Sequence, residues 1–555
     1  MYPSLIREAA RRMDAIVWEA LEDCAGSVIP QGDQGEGWDC PLTAPVAPWQ
    51  GRSYQELKVR MPTRSGGLGL SSTEDLSPAA FIGGLQQSLP HFIGTRGLCT
   101  LLRGVVGGPS GELQPAASLW KPLLDSGCRT GRELAESWAR LQGTGQQACA
   151  YLGRELQGAL AVPVEGMGDG AEDGSVRRLV TEQLQGLQKA VVEKALQDHP
   201  DQAARPIIHY KQLDKISSGW VNALPGPDSY IPTPAFSEAM CGYLCVPSPA
   251  CKEHVGKKIG KETVDIWGDR AQSATLPGDL FRYKHDTVKM KIFSLANECR
   301  LPATCEVFGA FSSCIPQQGL SRMERGRARQ SILPDFQFEL PHLLGGNPAG
   351  GNPRGGNPAA GKVSTLAELK TVTFCQSYHF PRAPKRGVEL RADKLPADYL
   401  LKARNTDMDF CGTAPGTVGP VETKLRSYPP LLKLVAGPNG EFSGDTHELL
   451  QIMADCKTQH QCRTKGLEES EWRVASNLTY LRRQLSVCAV RAVADSLHCR
   501  LQQAGEGAGR GARLAAQRRA LAMAQQERGR KERAAHWLLH TRGHRVLQRG
   551  QFLDT

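Results

Sequence analysis

No two aspartates are adjacent anywhere in this chain, which excludes a polymerase centre built on an aromatic-x-Asp-Asp turn with paired metal ligands. No run of 18 apolar residues occurs, so nothing has the length and apolarity of a membrane-spanning helix. The first residues, MYPSLIREAARRMDAI, carry charges at Arg7, Glu8, Arg11 and Arg12 and lack the apolar stretch of a secretory leader. The 17 cysteines are odd in number and scattered. They are therefore expected to be reduced thiols of an intracellular protein. Net positive charge is nearly missing outside one segment. Residues 509–549 hold eleven Lys and Arg against two acids, leaving about +1 of the formal +10 for all other positions. The basic character belongs to a C-terminal tail, and a polyanionic partner is the reading it supports.

What is present points to several domains. A chain of 555 residues can bury three or four cores. The pattern divides into a helical region at 1–164, a linker with an amphipathic helix at 165–218 and a connector at 219–280. An α/β unit follows at 281–460, then a basic helical tail at 461–555. Residues 1–25 recur at helical spacing through Leu5, Ile6, Ala9, Met13, Ile16, Val17 and Leu21. The stretch at 61–85 reads as a glycine-hinged turn, with Ser71 to Asp75 starting an apolar helix. Residues 175–197 predict a helix striped by Val176, Val180, Leu184, Leu187, Val191 and Ala195. From 281 the order is helix, three strands, helix, strand, helix. The strands are expected in 303–311, 332–340, 364–374 and 431–440. Helices are expected over 281–300, over 395–410 with Pro396 in the first turn, and after an Asp445 N-cap. Three GGNP units at 345–361 form a loop that interrupts the second and third strands without separating them in space.

Those two strands carry the chemistry. Glu368 and Lys370 are two apart on a strand, so both side chains leave one face of the sheet. Asp335 follows a proline at the start of the neighbouring strand. Two carboxylates and a backbone carbonyl suit Mg²⁺ (or Mn²⁺), and an ammonium beside them can stabilise charge on a reacting phosphate. The chain holds three Pro-Asp dipeptides and four acid-x-Lys tripeptides, starting at Glu56, Glu368, Glu422 and Asp455. Only Asp335 has such a triplet within 40 residues downstream on strand-like sequence. Two ordinary charges facing water are the alternative.

The residues PDF…LAELKTV resemble the PD-(D/E)xK endonuclease superfamily. More narrowly, RMPTRSGGLGLSSTEDLSPAAFIGGL, GWVNALP and VDIWGDRAQSATLPGDLFRYKHD resemble the C-terminal half of a non-LTR retrotransposon protein with a restriction-like endonuclease. The resemblance implies a mixed fold with an α-β-β-β-α-β nuclease core, a segment like the end of a reverse transcriptase at 1–164, and DNA nicking. It implies catalysis by Asp335, Glu368 and Lys370, with Glu306 as a further metal ligand, and a nuclear protein that binds DNA and element RNA. It equally allows a truncated or inactive remnant that binds nucleic acid.

Further candidates surround this set. His285 opens the first nuclease helix. Arg386, Arg391, Lys394, Lys402 and Arg404, with Tyr399, form a possible phosphate-tracking face, and Arg518 and Arg519 belong to the basic tail. Cys241, Cys245, Cys251 and His254 have a C-x3-C-x5-C-x2-H spacing that could hold Zn²⁺ in a degenerate knuckle, or simply pack as buried residues.

Overall fold

The computed structural model describes most of residues 3–26, 53–73, 189–198, 205–341, 362–373, 386–466 and 470–506. Outside them fall the GGNP repeat, residues 76–85, most of 175–197, and the tail with Arg518 and Arg519. Within them the protein is mixed, mainly helical with two small sheets, and no helix is long and apolar enough to cross a membrane.

The first part comprises α1 (Pro3–Ala25), α2 (Tyr54–Arg60), α3 (Arg205–Gln212) and α4 (Thr233–Leu244). A two-stranded ribbon of β1 (Lys258–Ile259) and β2 (Glu262–Thr263) follows, then α5 (Asp269–Ser273). Trp18, Leu21 and Ala25 of α1 pack against Met240, Tyr243 and Leu244 of α4, while Met13, Ile16 and Val17 stay exposed. Among the described members of the predicted apolar stripe of α1, Leu21 is buried while Ala9, Met13, Ile16 and Val17 are exposed. The glycine-hinged turn is present. Gly66 and Gly69 have φ of +83° and +74°, a left-handed backbone that glycine adopts without strain. The returning chain pairs with α2 through Leu68 N–H to the Lys58 carbonyl at 3.1 Å.

The second part runs α6 (Leu280–Glu298), β3 (Ala303–Cys305), α7 (Arg322–Ser331), β4 (Phe336–Pro341), β5 (Lys362–Thr371), α8 (Gly387–Cys411), α9 (Pro420–Ser427), β6 (Leu432–Ala436) and α10 (Gly444–Lys465). A 36-residue helix, α11 (Glu471–Glu506), closes the described chain. The sheet order is β3-β4-β5-β6, with β3–β4 and β4–β5 antiparallel and β5–β6 parallel. The parallel step requires a crossover, which α8 and α9 supply. One sheet face, with Phe336, Phe338, Ala367, Leu369 and Leu434, packs on α6, α10 and α11. On the other, Leu366 packs with Tyr399 and Ala403 of α8 and Val421 of α9.

Three local expectations are corrected. Helix α8 begins at Gly387, so Pro396 lies well inside it rather than in its first turn. The missing hydrogen bond is tolerated because Val388, Ala392 and Leu395 are buried against Val435 of the sheet. Asp445 does not cap α10; Ser443 is the N-cap residue, and the Asp445 carboxylate accepts from Lys433 N at 2.9 Å. Helix α7 was not foreseen, although Ser321 and Glu324 spell a capping box whose two reciprocal bonds both form.

Asp214 ties the two parts together. Its Oδ1 accepts from Ile216 N and Ser217 N, within its own loop, at 2.8 and 3.0 Å. Its Oδ2 accepts from Phe442 N at 2.6 Å, and from Arg386 and His447, both at 3.1 Å.

Candidate active site

The register of the sheet places the acids. Phe336 pairs with Ala367 across β4 and β5, so one step further Asp335 stands opposite Glu368. Directly opposed residues in an antiparallel pair project to the same face. Asp335 itself lies just before β4. It is fixed there by Glu306 N–H donating to the Asp335 carbonyl at 2.8 Å, and by Val307 N–H donating to that of Pro334 at 3.1 Å. Leu369 N–H then donates to Asp335 Oδ2 at 2.9 Å, which holds the carboxylate against β5.

Cations approach from both sides of the sheet. From α6, His285 Nε2 lies 3.3 Å from Asp335 Oδ2 and 3.1 Å from the Leu369 carbonyl oxygen. Lys289, four residues on and one helical turn away, lies 3.5 Å from Asp335 Oδ1 and 2.9 Å from Glu306 Oε1. Lys370 Nζ meets Glu368 Oε1 at 2.5 Å, and Lys402 of α8 reaches the same oxygen at 3.2 Å. Four potential cations thus surround three carboxylates.

Burial opposes ionisation of Asp335, but the His285 hydrogen bond and charge, Leu369 N–H and Lys289 outweigh it and hold its pKa below the usual value. Burial also opposes the charge on His285; hydrogen bonds to Asp286 and Asp335 win and raise its pKa to about 9. Lys289 is likewise raised, its burial being overcome by Glu306, Asp335 and Asp286. Tyr399, buried beneath the set, has its pKa driven up by burial and then by the charges of Glu368 and Asp335. The Tyr399 hydroxyl and Glu368 Oε2 are both buried without a hydrogen-bond partner.

This arrangement offers two carboxylates, a carbonyl and an orphaned carboxylate oxygen. An unpartnered buried acceptor is costly, and a hard divalent cation is the kind of group that satisfies it. The residues therefore fit Mg²⁺ or Mn²⁺. Glu306, at φ 54° and half exposed, makes its ion pair with Lys289. Among the described residues no three His, Cys, Asp or Glu side chains already stand together as a ligand group.

The structure brings some sequence candidates together and disperses others. Asp335, Glu306 and His285 gather around Lys289, and Glu368 meets Lys370 and Lys402. His285, expected to touch phosphate or the metal site, and Lys402, expected on a phosphate-tracking face, touch the acids themselves. Arg386 is engaged by Asp214 and Glu389, Arg391 by Asp398, and Arg404 by Glu422; Lys394 is exposed. Much of the basic face of α8 thus serves internal ion pairs, because this helix crosses the sheet rather than lying free. The cysteine set does not converge. Cys241 packs with α1 and donates to the Ala25 carbonyl, Cys245 packs with Tyr54 and Leu57, and Cys251 packs with Ile259 and Val264. Burial raises all three thiols, Cys251 to about 12. The three thiols pack as core residues, one of the two readings the spacing left open, with His254 in the turn after Cys251.

Sequence reading missed Lys289 and the buried Lys58. The signal for Lys289 was its place one turn after His285. Lys58 belongs to the acid-x-Lys tripeptide at Glu56, which the structure places in α2; those at Glu422 and Asp455 are also helical. Residues two apart on a helix face different ways, so only the Glu368 triplet presents its charges side by side. Lys58 lies 3.0 Å from His209 Nδ1 and over the Tyr243 ring. Burial lowers its pKa to about 7.

Comparison with protein families, with curated proteins and with solved structures finds no match to this chain.

Proposed function

We propose that this protein is a metal-dependent DNA endonuclease whose centre is Asp335, Glu368 and Lys370. The observation that carries the reading is that Asp335, one residue before the Phe336–Ala367 pair, falls in register with Glu368, with Glu368 Oε2 buried and unpartnered. Asp335, Glu368 and the Leu369 carbonyl would hold Mg²⁺ or Mn²⁺, with Glu306 at the rim. When bound, the cation supplies Lewis acidity toward a phosphodiester and a water of lowered pKa. Asp335 is kept ionised and aimed by Leu369 N–H. Lys370 and Lys402 both contact Glu368 Oε1 and would place two ammoniums where negative charge builds on a pentavalent phosphorus. Tyr399 and the apolar residues beneath it exclude water from one side of Glu368.

The resemblance to the PD-(D/E)xK superfamily and to non-LTR retrotransposon proteins supports this chemistry. DNA as substrate, element RNA as partner and a nuclear location belong to the same proposal, with the basic tail as the phosphate-binding segment. The test is nicking of supercoiled plasmid in Mg²⁺. The full chain is expected to nick, and Asp335→Asn or Lys370→Ala to abolish nicking while plasmid retention persists.

A second reading has its own observation. Both Asp335 oxygens already contact His285 and Lys289, the pattern of a site that serves as an ion-pair network only. A nucleic-acid-binding remnant without turnover would retain plasmid and leave it intact in Mg²⁺ and in Mn²⁺.

A further inference from the structure

The endonuclease reading needs a divalent cation beside Asp335, and the side chains already standing there bear on how it arrives. His285 Nε2 contacts Asp335 Oδ2 and the Leu369 carbonyl oxygen together. One nitrogen thus bridges two of the oxygens that would ligate the ion. The other ring nitrogen is 3.1 Å from Asp286 Oδ1, which aims the imidazole inward. Lys289 covers the remaining Asp335 oxygen. A phosphate-binding histidine presents its ring outward; this one has both nitrogens engaged within the protein and is only 20% exposed.

We infer that His285, aimed by Asp286 and backed by Lys289, is an internal stand-in for the divalent ion, so that metal loading is a competition with α6. His285 is then a positioning residue. It keeps Asp335 and the Leu369 carbonyl apart at a cation's spacing, and it gives up both contacts when an ion binds. The contacts are suited to exchange. At 3.1 and 3.3 Å they are long for charge-assisted hydrogen bonds, which run about 2.7–2.9 Å, whereas Mg²⁺ draws oxygens to about 2.1 Å. Leu369 N–H keeps its bond to Asp335 throughout, so the carboxylate stays aimed after the imidazole leaves. Glu368 Oε2, which no internal cation contacts, is the oxygen left open to the incoming ion.

This inference rests on the endonuclease reading, and the experiment separates their failures. Mn²⁺ binding is measured without DNA, by the electron paramagnetic resonance signal of the free ion, with Mg²⁺ as competitor. The proteins are the full chain and its His285→Ala, His285→Gln, Asp286→Asn and Asp335→Asn variants, each with its melting curve recorded. His285→Ala is expected to bind Mn²⁺ about tenfold more tightly, the worth of one charge-assisted hydrogen bond. His285→Gln, whose amide can keep one of the two contacts, is expected to fall between. Asp286→Asn, which loosens the ring without removing it, tightens binding less. It carries the same comparison if His285→Ala does not fold. Asp335→Asn is expected to lose binding. Equal or weaker affinity in the His285 and Asp286 variants, with binding still dependent on Asp335, overturns the competition and leaves the metal site standing. Absence of Mn²⁺ binding in every protein overturns both.

Discussion

Two aspartates in this protein are held by almost the same set of groups. Asp214 accepts from a histidine, an arginine and the Phe442 amide; Asp335 accepts from a histidine, a lysine and the Leu369 amide. Each has its pKa held below the ordinary value despite burial. Each lies near a buried glutamate with one unpartnered oxygen, Glu441 Oε1 in the first case and Glu368 Oε2 in the second. The glutamates differ. Glu441 makes no ion pair among the described residues, and burial pushes its pKa up to about 8. Its Oε2 accepts from Asn439 N at 2.8 Å, so it is folded into its own turn. Glu368 meets two ammoniums, and one of them, Lys402, is 43% exposed. The environment of an aspartate therefore does not define the site. A second carboxylate surrounded by mobile, partly solvated cations does, because those cations can rearrange around a charged ligand. The Asp214 region is a joint.

The comparison can be broken by exchanging its terms. The largest effect is expected at the joint: Asp214→Ala should cost about 3–5 kcal/mol in urea unfolding, since it strands His447, removes one of the carboxylates that hold Arg386 and frees the loop it organises. Asp335→Asn should instead lose nicking with a stability change of about 1 kcal/mol or less, because an amide keeps the hydrogen-bonding shape. The reverse ranking would erase the distinction. Acid should weaken both sites. A carboxyl whose folded pKa is depressed contributes stability that is present above its ordinary value of 3.8, lost as pH falls through the folded pKa.

Glu441 predicts the opposite slope. With a folded pKa of about 8 against an ordinary 4.5, its contribution is intact below pH 4.5 and falls away between 4.5 and 8. Glu441→Gln should remove that loss, and unfolding curves at pH 5 and 8.5 should converge in the variant. Lys58 has a folded pKa of about 7 against an ordinary 10.5. The unfolded chain holds its proton across that interval, so stability should rise with pH between 7 and 10.5, and Lys58→Met should flatten the rise. The smallest effect is expected at Arg404. Arg404 is half exposed and Arg426 duplicates its contact with Glu422, so Arg404→Ala should leave the unfolding curve nearly unchanged.

Much of the site was legible because its geometry is local. Strand alternation puts Glu368 and Lys370 on one face whatever surrounds them, and Leu369 was readable as the core residue between them. The strand at 332–340 was also legible, although Asp335 stands just before it rather than within it. The helix over 281–300 followed from Val288, Ile292, Leu295 and Cys299, all of which are buried. The role of Lys402 was not legible. It is 34 residues from Glu368 and reaches it only because α8 crosses back over the sheet. The packing of the cysteines was not legible for the same reason: Cys241, Cys245 and Cys251 are close in sequence but join three different clusters.

Sequence by itself determined the period-two acid and lysine, the order of the four strands from 281 onward, the glycine turn and the concentration of charge in the tail. Each of these follows from backbone geometry or composition within a few residues. Tertiary structure alone decided which cations surround the carboxylates, which carboxylate is left with an open oxygen, and which aspartate is a joint rather than a site. Those outcomes depend on groups well apart in the chain meeting in the fold, 34 residues for Lys402 and Glu368 and 233 for His447 and Asp214, and no local pattern encodes that meeting.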